Sequence, residues 1–95
     1  MSLLTQEQAR RIPALYAQED VKDPTVYLKI SCLSSFWLIT ELDEEQELGF
    51  GFCQLFEGSG ELGYVSLKEI GELPYPITIQ EIEKQLSMLK KELNL

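Results

Sequence analysis

The chain has 95 residues, 44% hydrophobic and 25% charged, which is typical of one small globular domain spanning residues 1–95. Its 16 acidic and 8 basic residues give a net charge of -8, which disfavours direct binding to nucleic acid or to an anionic membrane because both repel it. The sequence has no histidine, so the usual Ser-His and Cys-His nucleophilic sites and histidine-containing zinc sites are excluded.

The N-terminal part predicts two short helical segments. Thr5 and Gln8 match a capping box, which predicts about two helical turns before Pro13 interrupts the pattern. Because proline is tolerated in a first turn, residues 13–18 are expected to form a second short turn.

From Thr25 the pattern predicts strands. Hydrophobic residues alternate up to Cys32, as in a half-buried strand, and residues 36–42 form an aromatic and β-branched second strand. Simple alternation places Trp37, Ile39 and Glu41 on one face of this second strand. Because its two faces both carry apolar groups, we expect it to be central.

Two more strands are predicted, one with the alternating residues Leu48 to Cys53 and one at 62–67, and short connections favour an antiparallel meander of about four strands. On the third strand, Gly49 and Gly51 lie opposite large rings, so another backbone or a large ring is expected to lie close to them. Ser66 is expected to cap a helical turn that follows the fourth strand.

The C-terminal segment predicts an amphipathic helix. Thr78 and Glu81 match a second capping box, and hydrophobic residues then recur at steps of three and four. This stripe is expected to pack on the sheet, giving an α+β fold; a homodimer seam is the alternative. The stripe consists of Ile79, Ile82, Leu86, Leu89 and Leu93.

Cofactor, metal and membrane signals are missing from the sequence. Cys32 and Cys53 have no metal-site spacing and are expected to be buried free thiols. The chain shows neither a phosphate-binding glycine loop nor a membrane-spanning apolar run nor a signal-peptide pattern. We therefore expect a cytoplasmic protein without a cofactor.

The most distinctive segment is acidic: five of the seven residues from 41 to 47 are carboxylates. Because like charges repel, the segment is expected to form an exposed turn that faces water or a cationic partner. A solvated turn without a partner and a metal site are the alternatives. The candidate partner-binding residues are Glu41, Asp43, Glu44, Glu45 and Glu47.

Several short motifs form a set when they are taken in order. The longest is the block 61–67, Glu-Leu-Gly-Tyr-Val-Ser-Leu, and the others are Ile12 to Tyr16, Glu19, Asp23 and Pro24, Lys29, Trp37, Thr40 and Glu41, Asp43, and Phe50 and Gly51. Together they resemble one family, the domain of unknown function 2958, and the block 61–67 is the most specific part of the resemblance. The resemblance implies a small α+β protein often carried by plasmids, phages and other mobile elements, with no established activity or cofactor.

Two functional hypotheses follow. The first is a non-enzymatic protein, an anti-defence inhibitor from a mobile element, that offers its carboxylates to a basic surface of a nucleic-acid-handling enzyme. The alternative is a Mg²⁺-dependent nuclease or related hydrolase, or else a homo-oligomerising structural domain. The nuclease requires that two or more of four carboxylates converge beside Lys29: Asp20, Asp23, Glu41 and Asp43.

Overall fold

A computed structural model describes residues 3–56 and 58–94. In this part of the chain, five strands form one antiparallel sheet in the order β4-β3-β2-β1-β5, and short helices flank it. The α+β class is thereby confirmed, with one strand more than the sequence predicted. The elements are α1 (Gln6–Arg10), β1 (Thr25–Cys32), β2 (Ser35–Leu42), β3 (Leu48–Gln54), β4 (Glu61–Ser66), α2 (Leu67–Gly71), β5 (Thr78–Gln85) and α3 (Leu86–Glu92).

Local signals located most elements correctly. The Thr5 side chain accepts from the Gln8 backbone N–H, and the Gln8 side chain accepts from that of Thr5, so the predicted capping box is confirmed. The Ser66 hydroxyl accepts from the Glu69 backbone N–H and caps α2 as predicted. Strands β1 to β4 begin and end within one or two residues of their expected positions.

The predicted C-terminal helix is wrong over its first half. Residues 78–85 form β5, which pairs with β1 in a register that places Ile79 beside Ile30. A meander of four strands would leave β1 with an unpaired edge, and β-branched residues suit a strand that covers it. Consequently the capping box predicted from Thr78 and Glu81 does not form, and a helix begins only at Leu86.

This correction also changes the predicted dimer seam. Ile79 and Ile82 lie on β5, whereas Leu86 and Leu89 are buried in α3 against this chain's own sheet. The residues chosen for a homodimer therefore do not form one continuous helical stripe with Leu93.

The sheet has a core on each face. Trp37 and Ile39 belong to the larger core, while the intervening Leu38 belongs to the smaller core beneath α3. β2 is therefore buried on both faces, which confirms its predicted central position. The smaller core consists of Val26, Leu38, Phe52, Leu86 and Leu89.

A register shift in β2 decides which face of the sheet the side chains of its last residues lie on. Ile39 lies beside Gly51, but Glu41 lies beside Phe50, so two residues of β2 span one residue of β3. This bulge reverses the alternation after Ile39. The prediction that Glu41 shares a face with Trp37 and Ile39 is therefore wrong: Glu41 lies on the Phe50 face, and Leu42 enters the larger core.

The N-terminus of α3 is capped by a residue distant in sequence. The Gln85 side chain makes no capping hydrogen bond, whereas the Asp23 carboxylate accepts the Ser87 backbone N–H at 2.9 Å and the Ser87 hydroxyl at 2.6 Å. These hydrogen bonds, that of the hydroxyl foremost, lower the pKa of Asp23 below its ordinary value.

We expect Asp23→Asn to lower the urea midpoint of unfolding at neutral pH. Because the pKa of Asp23 is lower in the folded protein, its stabilising contribution is complete above the unfolded-state pKa and is lost as the pH falls through the folded-state value. The difference between wild type and variant should therefore shrink below about pH 4. Urea titrations of both proteins from neutral to strongly acidic pH measure this difference in stability. A difference that stays constant with pH would contradict the capping role of the Asp23 carboxylate.

Both cysteines are free, as predicted. Cys32 is buried, but Cys53 is only half-buried, and burial raises the pKa of its thiol. None of the helices in residues 3–56 and 58–94 has the length and hydrophobicity needed to cross a membrane.

Candidate functional site

Glu41 is buried, with 5% of its surface exposed, and it holds a neighbouring loop in place. Its carboxylate accepts the backbone N–H of Tyr16 at 2.8 Å and that of Gln18 at 2.7 Å. Tyr16 has a positive φ of 73°, which a side chain other than glycine adopts only when its surroundings fix it. Glu41 therefore anchors residues 13–20, named here the docking loop, and is not part of the exposed turn.

A backbone contact completes this attachment. Ala14 forms an isolated parallel bridge with Leu42, whose N–H donates to the Pro13 carbonyl oxygen at 2.9 Å. The docking loop is therefore fixed to the end of β2, at the start of the turn 43–47, named here the acidic turn. Glu19 of the docking loop lines a recess together with Glu41.

The acidic turn divides its carboxylates between structure and solvent. The Asp43 side chain accepts the backbone N–H groups of Glu47 at 2.9 Å and of Leu48 at 3.1 Å, so Asp43 stabilises the turn. Glu44, Glu45 and Glu47 are exposed. Of the five residues predicted to bind a partner, these three face solvent freely, while Glu41 and Asp43 hold the local backbone.

The ion pairs in the described residues lie elsewhere. Arg11 contacts Glu81 at 2.9 Å and Glu83 at 3.4 Å, and Lys84 contacts Glu92 at 2.9 Å. Within residues 3–56 and 58–94, neither the acidic turn nor the carboxylates of the docking loop form an ion pair. Arg10 lines a recess with Asp43 and Glu44 without approaching either within ion-pair distance. Among the described residues, the carboxylates at this end of the sheet are therefore left without an ion-pair partner.

Beside Glu41, a recess of about 190 Å³ opens between the docking loop and β4. Phe50 and Tyr64, which lie side by side on β3 and β4, make an edge-to-face contact with ring centroids 5.4 Å apart. The Tyr64 hydroxyl donates to that of Tyr16 at 3.1 Å. We name this recess the tyrosine pocket; its lining consists of Tyr16, Glu19, Glu41, Phe50 and Tyr64.

The tyrosine pocket is electronegative. The hydrogen bond to Tyr16, with partial burial, raises the pKa of Tyr64 above its ordinary value, and the charges of Glu19 and Glu41 raise it further. Its rings nonetheless remain accessible, with Tyr16 61% and Tyr64 56% exposed. The pocket thus combines aromatic walls, two hydroxyl groups and two carboxylates in a place that solvent reaches.

Sequence reasoning did not single out Tyr16, Glu19 or Tyr64 as site residues. Tyr16 and Tyr64 are 48 positions apart, and they meet because Glu41 holds the docking loop over the end of β2. All three belong to the motifs that match the family, but the only signal of their position was that Tyr64 and Phe50 lie on adjacent predicted strands. That signal indicates a cross-strand aromatic pair, but not the loop that closes it.

Three of the four carboxylates named for the nuclease alternative make separate contacts in the fold. No three Asp, Glu or Cys side chains among residues 3–56 and 58–94 are arranged to hold a metal ion. Asp23 caps α3, Asp43 stabilises the acidic turn, and Glu41 binds the docking loop. Lys29, the lysine that this alternative requires, has its ammonium group 5.7 Å from the centroid of the Phe36 ring.

The fold and the tyrosine pocket define a small α+β protein with an acidic, aromatic recess near one edge of an antiparallel sheet. The chain belongs to the family described as protein of unknown function, DUF2958, whose model matches residues 3–93. The resemblance noted from the sequence motifs is confirmed. No curated protein and no solved structure matches the chain.

Proposed function

We propose that this protein is a non-enzymatic binding protein that presents carboxylates to a basic surface of a protein partner. The observation that supports this proposal is that the three exposed carboxylates of the acidic turn, which adjoins the docking loop, have no ion-pair partner among the described residues. Complementary charge accelerates encounter and fixes the orientation of the partners, while apolar or aromatic anchors supply most of the affinity.

The overall charge density argues against imitation of a DNA backbone. The accessible surface is 6234 Å², so a net charge of -8 amounts to about one charge per 780 Å², whereas duplex DNA carries one per ~1.7 Å of its axis. Recognition of a basic patch by a local acidic surface agrees better with this charge. The narrower form of the proposal is inhibition of a nucleic-acid-handling defence enzyme by a protein from a mobile element.

The test begins with affinity capture of the tagged protein from its native host and continues with a titration of the purified partner. The triple variant Glu44→Gln, Glu45→Gln, Glu47→Gln removes three exposed charges and leaves the structural carboxylate of Asp43 in place. We expect its affinity to fall about tenfold or more at low salt and to depend less on salt than that of the wild type.

The matched control makes the same charge change elsewhere. Glu61→Gln, Glu72→Gln, Glu92→Gln removes three exposed carboxylates that lie outside the acidic turn and the docking loop. Its affinity should change by less than about threefold, because distant exposed charges are screened. Equal losses in the two triple variants would exclude the acidic turn as the binding surface.

A further inference from the structure

The tyrosine pocket differs from the neighbouring aromatic groups on the same face of the sheet. The Lys29 ammonium lies 5.7 Å from the centroid of the Phe36 ring, and that of Lys90 lies 4.7 Å from the centroid of the Phe52 ring. Phe36 and Phe52 are stacked, with their centroids 6.4 Å apart. The chain thus supplies cations to these rings from its own lysines.

The rings of Phe50 and Tyr64 receive no such cation from the described residues. Phe50 lies on the same face as Phe52 because the two are separated by one residue of β3. The pocket also contains the carboxylates of Glu19 and Glu41, which no lysine or arginine in the described part of the chain pairs. Aromatic walls and carboxylates without a cation are the features that bind an organic cation in other proteins.

We infer that the tyrosine pocket binds the guanidinium group of an arginine side chain, supplied by the basic partner of the proposed function on which this inference rests. A guanidinium group is flat and stacks on aromatic rings, and it carries five N–H donors. The acceptors available to it are the carboxylates of Glu19 and Glu41 and the hydroxyl oxygen of Tyr16.

The size and burial of the site agree with such a ligand. A volume of about 190 Å³ is below the ~300–1,000 Å³ of pockets that enclose drug-sized molecules, so the end of one side chain fits better than a nucleotide. Glu41 is buried and held by two backbone N–H groups, so its negative charge has a fixed position. A fixed charge loses little conformational freedom when the cation binds.

The test uses three small probes: N-acetyl-arginine methylamide, the lysine analogue, and the citrulline analogue, which has nearly the shape of arginine without its charge. Amide chemical shifts of the uniformly ¹⁵N-labelled protein are followed during titration. We expect saturable shifts at Phe50 and Tyr64, with the arginine probe binding about tenfold more tightly than the citrulline probe and more tightly than the lysine probe.

Two variants and one control locate the binding. Tyr64→Leu removes a pocket wall and Glu19→Gln removes a rim charge; both side chains are exposed, so the fold is retained. Each variant should weaken binding of the arginine probe several-fold. Tyr75→Leu, which removes a similarly exposed tyrosine outside the pocket, should leave this binding unchanged. Equal binding of citrulline or lysine, or unchanged binding by Tyr64→Leu, would overturn the inference.

The inference and the proposed function fail in different ways. If Tyr64→Leu leaves partner affinity unchanged while the triple variant of the acidic turn abolishes it, the proposed function stands and the arginine site is overturned. If the arginine probe binds as expected but the acidic-turn variant and its control lose partner affinity equally, the pocket stands and the proposed surface is wrong.

Discussion

Gly51→Ala is expected to lower the free energy of unfolding by about 3 kcal/mol, the upper part of the usual range for an overpacked site. A Cβ atom at this position would collide with the backbone carbonyl group of Leu38 on the adjacent strand. Since that carbonyl belongs to β2, which is buried on both faces, neither strand can move aside without disturbing both cores. Chemical denaturation monitored by Trp37 fluorescence measures the loss.

A matched control lies directly opposite on the next strand. Gly63 pairs with Gly51 across β3 and β4, yet a Cβ atom there would meet nothing within 4 Å. Gly63→Ala should therefore change stability by no more than about 0.5 kcal/mol, as exposed substitutions do. Similar losses for the two variants would show that glycine is required for a reason other than close backbone approach.

Glu41→Gln should lower the free energy of unfolding by about 2 to 3 kcal/mol, because hydrogen bonds to a charged group are stronger than neutral ones. Glutamine keeps the shape of the side chain but replaces one acceptor oxygen with an NH₂ group. One of the two backbone N–H groups that Glu41 now binds, at Tyr16 and Gln18, would then face another donor.

The local effect should exceed the global one. In Glu41→Gln, the rate of hydrogen exchange at the Tyr16 and Gln18 amides should increase more than the rate in β1 and β2. The docking loop loses its anchor in this variant, while the sheet remains folded. Glu44→Gln, which removes an exposed charge three residues away, should leave both amides unchanged. Unaltered protection in Glu41→Gln would contradict the anchoring role of its carboxylate.

The sequence predicted those features that depend on neighbouring residues. The capping box at Thr5, the cap at Ser66 and the alternation of β1 are all local patterns, and each appears in the structure. The close approach of a backbone to Gly51 was also predicted, because β3 carries large rings on one face and glycines on the other, and glycines leave room for a neighbouring backbone.

Features that depend on distant contacts escaped prediction. From Ile79 to Leu93, hydrophobic residues recur at intervals of three and four, and this spacing is compatible with one helix or with a strand followed by a helix. Only the edge of β1, which would otherwise be unpaired, decides between the two. The alternation in β2 gave no sign of its bulge, so Glu41 was placed on the wrong face. The tyrosine pocket depends on both the bulge and the docking loop, which explains why its residues were missed.

The bulge in β2 also decides which side chain the larger core receives at the end of the strand. If the same residues of β2 paired with β3 without the bulge, simple alternation would turn the Glu41 carboxylate into the larger core and Leu42 away from it. That change of register would place a charge among apolar side chains and remove the anchor of the docking loop. The charge of Glu41 therefore selects the bulged pairing over the regular one, so the residue that holds the docking loop also fixes the register of the strand that carries it.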